Sequence, residues 1–502
     1  MNSKIMKNLI TAILFSCTFI MNYNAQTLTD KQKEEHQAVK DLLNKLNSNS
    51  ERNHNNSNKP EFQKPRDSNV LHKINAHSDR KSYFMNGNKI STDVYNYGGI
   101  APGFGLLRGV NNFVWKDLSY VFQFCPIVGA EVKDANGKKI HIITDGLNDY
   151  TSPMLQEINP TGDTLWQWQP LPGYADADQP NMASNPANDD DGDGKPDSWP
   201  RNWYNPTLGK YVWPGFLSQN TSNADLELFW SMDDRDNTEF KYFPFPEDST
   251  KKGIGLQVDG RAFQWSNALA ENTIFFVYTI SNVSGKDLDS VFFGIYGDPD
   301  LGGGTPENKD DNGFFIPPYS LDTVDVSNIP VYARSMVYFF DPDMEGNYGL
   351  PLGYLGCKFL ESPGNTINNF DDDGDGMVDE SQEDGRDNDG DWNVDFHDVG
   401  IDGIPLTLDE GEGDGLPTAG IQLPNGSLDA LYPGEPNFEF TDLDESDQIG
   451  LTSFNSWSWS QDKISDDESM WNRSIPGNFG AIQQNTDLVF IFGTGYISRK
   501  AG

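Results

Sequence analysis

Three segments of the chain carry aspartates at alternate positions leading into a turn. Asp189-Asp-Asp191-Gly-Asp193-Gly194-Lys-Pro-Asp197 has the spacing D-x-D-x-D-G-x-x-D, and Asp371-Asp-Asp373-Gly-Asp375-Gly376-Met-Val-Asp379 repeats it. Asp387-Asn-Asp389-Gly-Asp391-Trp392-Asn-Val-Asp395 follows it too, except that Trp392 stands in the glycine position. The chemistry this suits is calcium binding. Ca²⁺ is a hard cation that gathers about six to eight oxygens at roughly 2.3–2.6 Å. Alternate carboxylates at positions one, three and five wrap one ion, and a glycine at six permits the sharp turn. The expected ligands are therefore Asp189, Asp191, Asp193 and Asp197; Asp371, Asp373, Asp375 and Asp379; and Asp387, Asp389, Asp391 and Asp395, joined at position seven by the carbonyls of Lys195, Met377 and Asn393. Magnesium keeps its waters and rarely uses an all-protein cage, so calcium is the expected ion.

These loops are not EF-hands. Position twelve holds Pro200, Gln382 and Asp398 instead of the bidentate Glu, and no amphipathic helices flank the loops. Glu380 and Glu383 offer partial compensation. The density of charge supports a cation all the same. Residues 371–415 hold 18 Asp/Glu and a single basic residue, Arg386, a run that repels itself when nothing neutralises it. A solvated acidic linker needs no such phasing. Asp398, Asp402, Asp409, Glu412 and Asp414 follow with no template in their spacing.

Other constellations read more simply as structure. Asp298-Pro-Asp300 with Asp310-Asp311-Asn312, and Asp233-Asp234-Arg235-Asp236, have the composition of turns as well as of oxygen ligands. Trp166-Gln-Trp168 and Trp457-Ser-Trp459 each put two indoles on one strand face, where core packing competes with stacking on sugar. Catalytic sets are scarce. Of six His, His36, His54, His72 and His77 lie near the N-terminus, leaving His141 and His397 for the body. G-x-S-x-G, H-E-x-x-H, a P-loop and a dinucleotide fingerprint are all absent from the sequence. A glycosidase needs only two carboxylates about 5–10 Å apart and stays open.

The elements that must hold these loops follow from composition. In 502 residues, Asp+Glu is 76 against 36 Lys+Arg, a net charge of −40. Residues 1–90 hold 14 basic and 8 acidic side chains, so the acidity belongs to the body. Such a polyanion repels nucleic acid and anionic membrane surfaces. Twelve Trp, 19 Tyr and 31 Phe are enough for a large core. From about Tyr83 onward, short Val/Ile/Phe/Tyr/Trp runs alternate with Gly, Pro, Asn and Asp turns, as in Phe113–Trp115, Tyr120–Phe124, Lys139–Thr144, Leu165–Trp168, Thr273–Ile280, Val291–Tyr296, Ser335–Phe340 and Leu488–Phe492. Asn136-Gly137 predicts a hairpin with a type I′ turn between Ala130–Lys133 and Lys139–Thr144. The expected fold is mainly β, a large β-sandwich-like body with inserted acidic calcium loops and a short N-terminal helical leader.

Lys4 and Lys7 precede the apolar run Leu9–Ile20, and Asn24-Ala25-Gln26 offers a cleavage site, the pattern of a signal peptide over residues 1–25. Cys17 lies in a weak lipoprotein-like box. No later stretch is apolar enough to span a bilayer, so the mature chain is expected to lack a transmembrane segment. Residues 26–80 read as a helical and Asn/Ser-rich leader, with helical spacing at Ala38, Val39, Leu42, Leu43 and Leu46. The expected body runs over 81–370 with a calcium loop at 188–197, an acidic repeat region over 371–415 and a β-rich C-terminal part over 416–502. The text after Asp487–Gly493 shows no closing element, which suggests a fragment of a longer protein. Cys125 and Cys357 are expected to be separate buried thiols, with a disulfide as the alternative.

The three loops resemble thrombospondin type 3 repeats, the calcium-binding aspartate repeats of many secreted proteins. With the signal ending Asn-Ala-Gln, the Asn-rich leader and the aromatic β body, the chain is similar to secreted or surface proteins of Bacteroidota, many of them exported by the type IX system through a C-terminal sorting domain. No such domain is visible here. The resemblance implies Ca²⁺ and an extracellular or cell-surface setting. The functional expectation is a structural, adhesion or matrix-binding protein whose partner is an extracellular glycan or surface protein. The alternative is a secreted carbohydrate-active enzyme or glycan-binding module, and a third reading is a precursor whose leader is removed by a protease.

Overall fold

A computed structural model describes residues 80–101, 113–147, 158–161, 164–216, 220–303, 309–318, 321, 325–329, 334–360, 362, 392–421, 429, 431–436, 438, 450–480 and 483–499. The expected signal peptide over 1–25, the expected helical leader up to residue 79 and the loop positions 371–391 lie outside them.

The chain divides into two compact units, one of Met1–Phe314, Tyr338–Gly356 and Ser453–Gly502, the other of Phe315–Val337 and Cys357–Thr452. Among the described residues the structure is mainly β, with one α-helix, Asp467–Arg473. No helix among them is long and apolar enough to cross a membrane.

Among the described residues the strands divide among separate sheets of two to five strands, where the expectation was one clear β-sandwich. Many short strands separated by Gly- and Asp-rich turns build small sheets more readily than two long facing ones. In the first unit, Ser82–Met85, Ile90–Tyr95, Phe113–Trp115 and Leu118–Val121 form an antiparallel meander. A five-stranded sheet is built on Leu226–Asp233, which pairs with Leu256–Gln264, Gln169–Pro170 and Ser184–Asn185, while Phe275–Asn282 closes the far edge. A second five-stranded sheet orders Ser453–Ser458, Leu488–Arg499, Leu288–Asp298, Gln123–Lys133 and Lys139–Asp145, all antiparallel.

The second of these sheets is buried on both faces. Along Gln123–Lys133, Val128, Ala130 and Val132 enter a core shared with Leu228, Trp230, Met232, Val258 and Ala262 of the first five-stranded sheet. Cys125 and Ile127 point the other way, into a core with Trp457, Met470, Trp471 and Ile491. This is the period-two alternation of a strand with apolar residues on both sides.

Several expected strands shift. Leu165–Trp168 is not a strand: Leu165 makes a single bridge to Ile158, and pairing begins only at Gln169. The strand expected over Leu488–Phe492 continues to Arg499. The Asn136-Gly137 hairpin forms, with Lys133 opposite Lys139, but only Gly137 of the pair has positive φ (81°). The turn is a wider loop in which the Asp134 carboxylate accepts from the Asn136 and Lys138 N–H groups, each at 2.8 Å, so it is not type I′. Trp168 and Trp457 are core residues, whereas Trp459 lies beyond its strand and is exposed. Cys125 is buried, Cys357 is partly buried, and both are free thiols.

Candidate metal centres

The loop over 189–197 follows the strand pair that begins at Ser184–Asn185, and its own backbone builds it. Gly192 (φ 74°) and Gly194 (φ 87°) take left-handed conformations that L side chains rarely adopt. The chain thereby curls around Asp189, whose two oxygens accept from Gly192 N (2.8 Å) and Gly194 N (3.0 Å). The carboxylates of Asp191 and Asp193 accept from the N–H two residues on, at 3.0 and 2.7 Å. Asp197 closes the loop through its N–H to Asn188 O (2.7 Å) and its carboxylate to Asp190 N (3.2 Å).

This brings Asp189, Asp191 and Asp197 within 4.8 Å of one another, the span of oxygens around one cation of calcium's size. Asp193 is not part of that triad. The Lys195 side chain turns away from the loop, pairing with Asp176 at 2.8 Å and donating to the carbonyls of Pro196, Asp197 and Trp199. It pins the loop to buried structure without neutralising its mouth.

The second loop (Asp371, Asp373, Asp375, Met377, Asp379) and most of the third (Asp387, Asp389, Asp391) lie outside the described residues. Of the third, Asn393 accepts from Asp395 N through its side chain and from Phe396 N and His397 N through its carbonyl, forming a tight turn. Trp392, in the glycine position, donates from Nε1 to Glu435 at 2.9 Å. Downstream, Asp398 caps Gly413 and Gly415, Asp409 accepts from Asp402 N, and Glu412 accepts from the N–H groups of Leu406 and Leu408. These carboxylates act as turn acceptors and form no converging group among the described residues.

Asp233 pairs with Arg235 at 2.7 Å and Asp234 accepts three backbone N–H groups, so that run is structural. The other run read as turns is different. Asp298, Asp300 and Asp487 converge within 4.8 Å, and so do Asp310, Asp341 and Asp343. Asp300, Asp311 and Asp341 are at most 6% exposed. Burial, with Asp487 adding, pushes Asp300 up to about 8; burial, with Asp300 adding, pushes Asp311 up to about 10. Asp341 and Asp343 are missing from the sequence-derived candidates. The signal for them is a recurrence of Asp-Pro-Asp: Asp298-Pro-Asp300 and Asp341-Pro-Asp343 each stand where a strand ends, after Leu288–Asp298 and Met336–Phe340.

His141 stacks on Trp471 (4.4 Å between ring centres) and meets Glu468 at 2.8 Å, and His397 Nδ1 accepts from Asn393 N. Among the described residues, three groups of carboxylates are thus close enough to hold a metal ion. No known protein family, curated protein or solved structure matches the chain.

Proposed function

We propose that this is a secreted or cell-surface calcium-binding β protein with a structural, adhesion or matrix-binding role, in which Ca²⁺ rigidifies Asp-rich loops carried by the sheets. One observation carries the reading: Asp189, Asp191 and Asp197 converge within 4.8 Å over a turn made possible by two left-handed glycines, with no basic side chain paired to them among the described residues. The thrombospondin type 3-like phasing repeated at 371–379 and 387–395 supports the same ion there. The signal-like N-terminus supports export, and an extracellular setting supplies the millimolar calcium that loops lacking a bidentate Glu require.

Calorimetric titration of the EDTA-stripped full chain with Ca²⁺ tests this. Exothermic or entropy-driven saturation is expected, with Asp189→Asn removing one class of sites. No heat, together with identical melting in EDTA and Ca²⁺, defeats the calcium reading.

A second reading, a glycan-binding module or carbohydrate-active enzyme, is favoured by one feature. Phe314, Tyr338 and Phe340 lie with near-parallel rings at 5.7 Å from Phe314, and Tyr354, 47% exposed, extends the row at 5.3 Å from Phe340. Such a platform suits the apolar face of a sugar ring. A glycan array with a polysaccharide reducing-sugar assay tests it, and silence in both retires it.

A further inference from the structure

We infer that Asp298, Asp300 and Asp487, together with Asp310, Asp341 and Asp343 and with Asp311 beside them, form a partly buried centre for hard divalent cations, one ion in each triad, separate from the loop at 189–197. Each triad gathers its oxygens within 4.8 Å, as ligands of one Ca²⁺ do.

The second observation is what the buried oxygens lack. Asp341 is 0% exposed and Asp311 is 1% exposed, yet Asp341 Oδ2 and Asp311 Oδ1 have no hydrogen-bond partner, and neither does Asp298 Oδ1. Their other oxygens are used: Asp341 Oδ1 accepts from Asp343 N (3.0 Å) and Asp311 Oδ2 from Leu301 N (3.4 Å). Native structures rarely leave buried carboxylate oxygens bare, because each costs the free energy of losing water. No Lys or Arg forms an ion pair with any of the seven among the described residues; only Lys309 acts at a distance, on Asp487. Protein cations therefore do not account for the cluster. Two divalent ions neutralise most of its charge and take up the bare oxygens.

The centre is held open for this purpose by unrelated stretches of chain. Asp298 ends one strand of the five-stranded sheet and Asp487 immediately precedes its neighbour, Leu488–Arg499. The segment 311–312 is stitched to the approach of that strand by Asn485 N to Asn312 Oδ1 at 2.8 Å. Ligands 189 residues apart in sequence thus meet at one end of adjacent strands. A cation there joins segments that no disulfide links.

Metal content of the full chain, purified with Ca²⁺ and gel-filtered, is the test, read by plasma mass spectrometry beside melting curves. Asp300→Asn and Asp341→Asn are each expected to lose about one equivalent of ion and to melt lower than the native protein in Ca²⁺ but not in EDTA. Asp189→Asn is expected to leave those ions bound. Crystals of the unmodified protein soaked in Tb³⁺ are expected to give anomalous peaks inside both triads, a readout independent of whether the variants fold. Unchanged metal content in both variants, or no peak in either triad when the 189–197 loop is occupied, overturns the inference and leaves the calcium reading of that loop untouched.

Discussion

Asp234 lies just past the strand Leu226–Asp233, 1% exposed, with Ile254, Gly255 and Leu256 N–H groups all directed at its carboxylate. Burial pushes its ionisation up to about 7 in spite of those donors, and Asp233 adds to the rise. In the unfolded chain the group ionises near its ordinary value of about 3.9. The folded state therefore binds the proton more tightly, and the stability from this group is full below about pH 4 and lost as pH rises through 7. Asp234→Asn forfeits one acceptor oxygen and is expected to be less stable than the native protein by about 2–3 kcal/mol at pH 4.5, where three amides compete for a single carbonyl. That deficit is expected to shrink by pH 8, because only the native protein then carries a buried charge. Urea unfolding of both proteins across this range checks it; a deficit that grows with pH contradicts the sign. The same physics explains what could and could not be read at this scale. The phasing of Asp189, Asp191 and Asp197 was legible because the carboxylates that converge are local in sequence. Asp341 and Asp487 were not, because their neighbours are supplied by chain-distant strands, and isolated Asp-Pro-Asp reads equally well as a turn.

The helix Asp467–Arg473 shows how one short element closes a sheet. Asp466 caps it by accepting from Ser469 N (3.0 Å), and Met470 and Trp471 bury its inner face. Asp467 reaches the edge strand Lys139–Asp145 and accepts from Ile143 N at 2.8 Å. An edge strand with free N–H groups invites pairing with other chains, and a carboxylate anchored on a packed helix blocks that. Asp467→Ala is expected to cost about 1–3 kcal/mol by leaving the buried Ile143 N–H without its acceptor, and to raise the tendency to associate. Chemical denaturation and light scattering at matched concentration measure both; Asp466→Ala, a cap loss worth about 1 kcal/mol, is the control expected to leave association unchanged. Seven residues are too few for helical periodicity to register, so this helix was invisible in the sequence. The long strands are legible from their β-branched and aromatic runs, while the same composition at Leu165–Trp168 serves a loop whose Leu165 and Trp168 are buried in the core.

For the molecule as a whole, the net charge of −40 sets two separable effects of cations. Diffuse repulsion among exposed carboxylates is screened by any salt, with a Debye length falling from roughly 30 Å at 0.01 M to about 3 Å at 1 M. Site binding needs a divalent ion that accepts several carboxylates at once, and it stabilises by mass action with the logarithm of free ion over dissociation constant. The two are distinguished by comparing NaCl with CaCl₂. In EDTA, raising NaCl from 20 mM to 500 mM is expected to lift the melting temperature by a few degrees. At 500 mM NaCl the diffuse term is largely gone, so 2 mM CaCl₂ is expected to add a further rise of about 5 °C or more, and 2 mM MgCl₂ distinctly less, because Mg²⁺ dehydrates reluctantly for an all-carboxylate cage. Differential scanning calorimetry resolves this and also shows whether the two compact units melt in one transition or two. If calcium's increment vanishes once NaCl is high, the acidic side chains act only as a screened surface charge and calcium binding by the Asp-rich loops contributes nothing to stability.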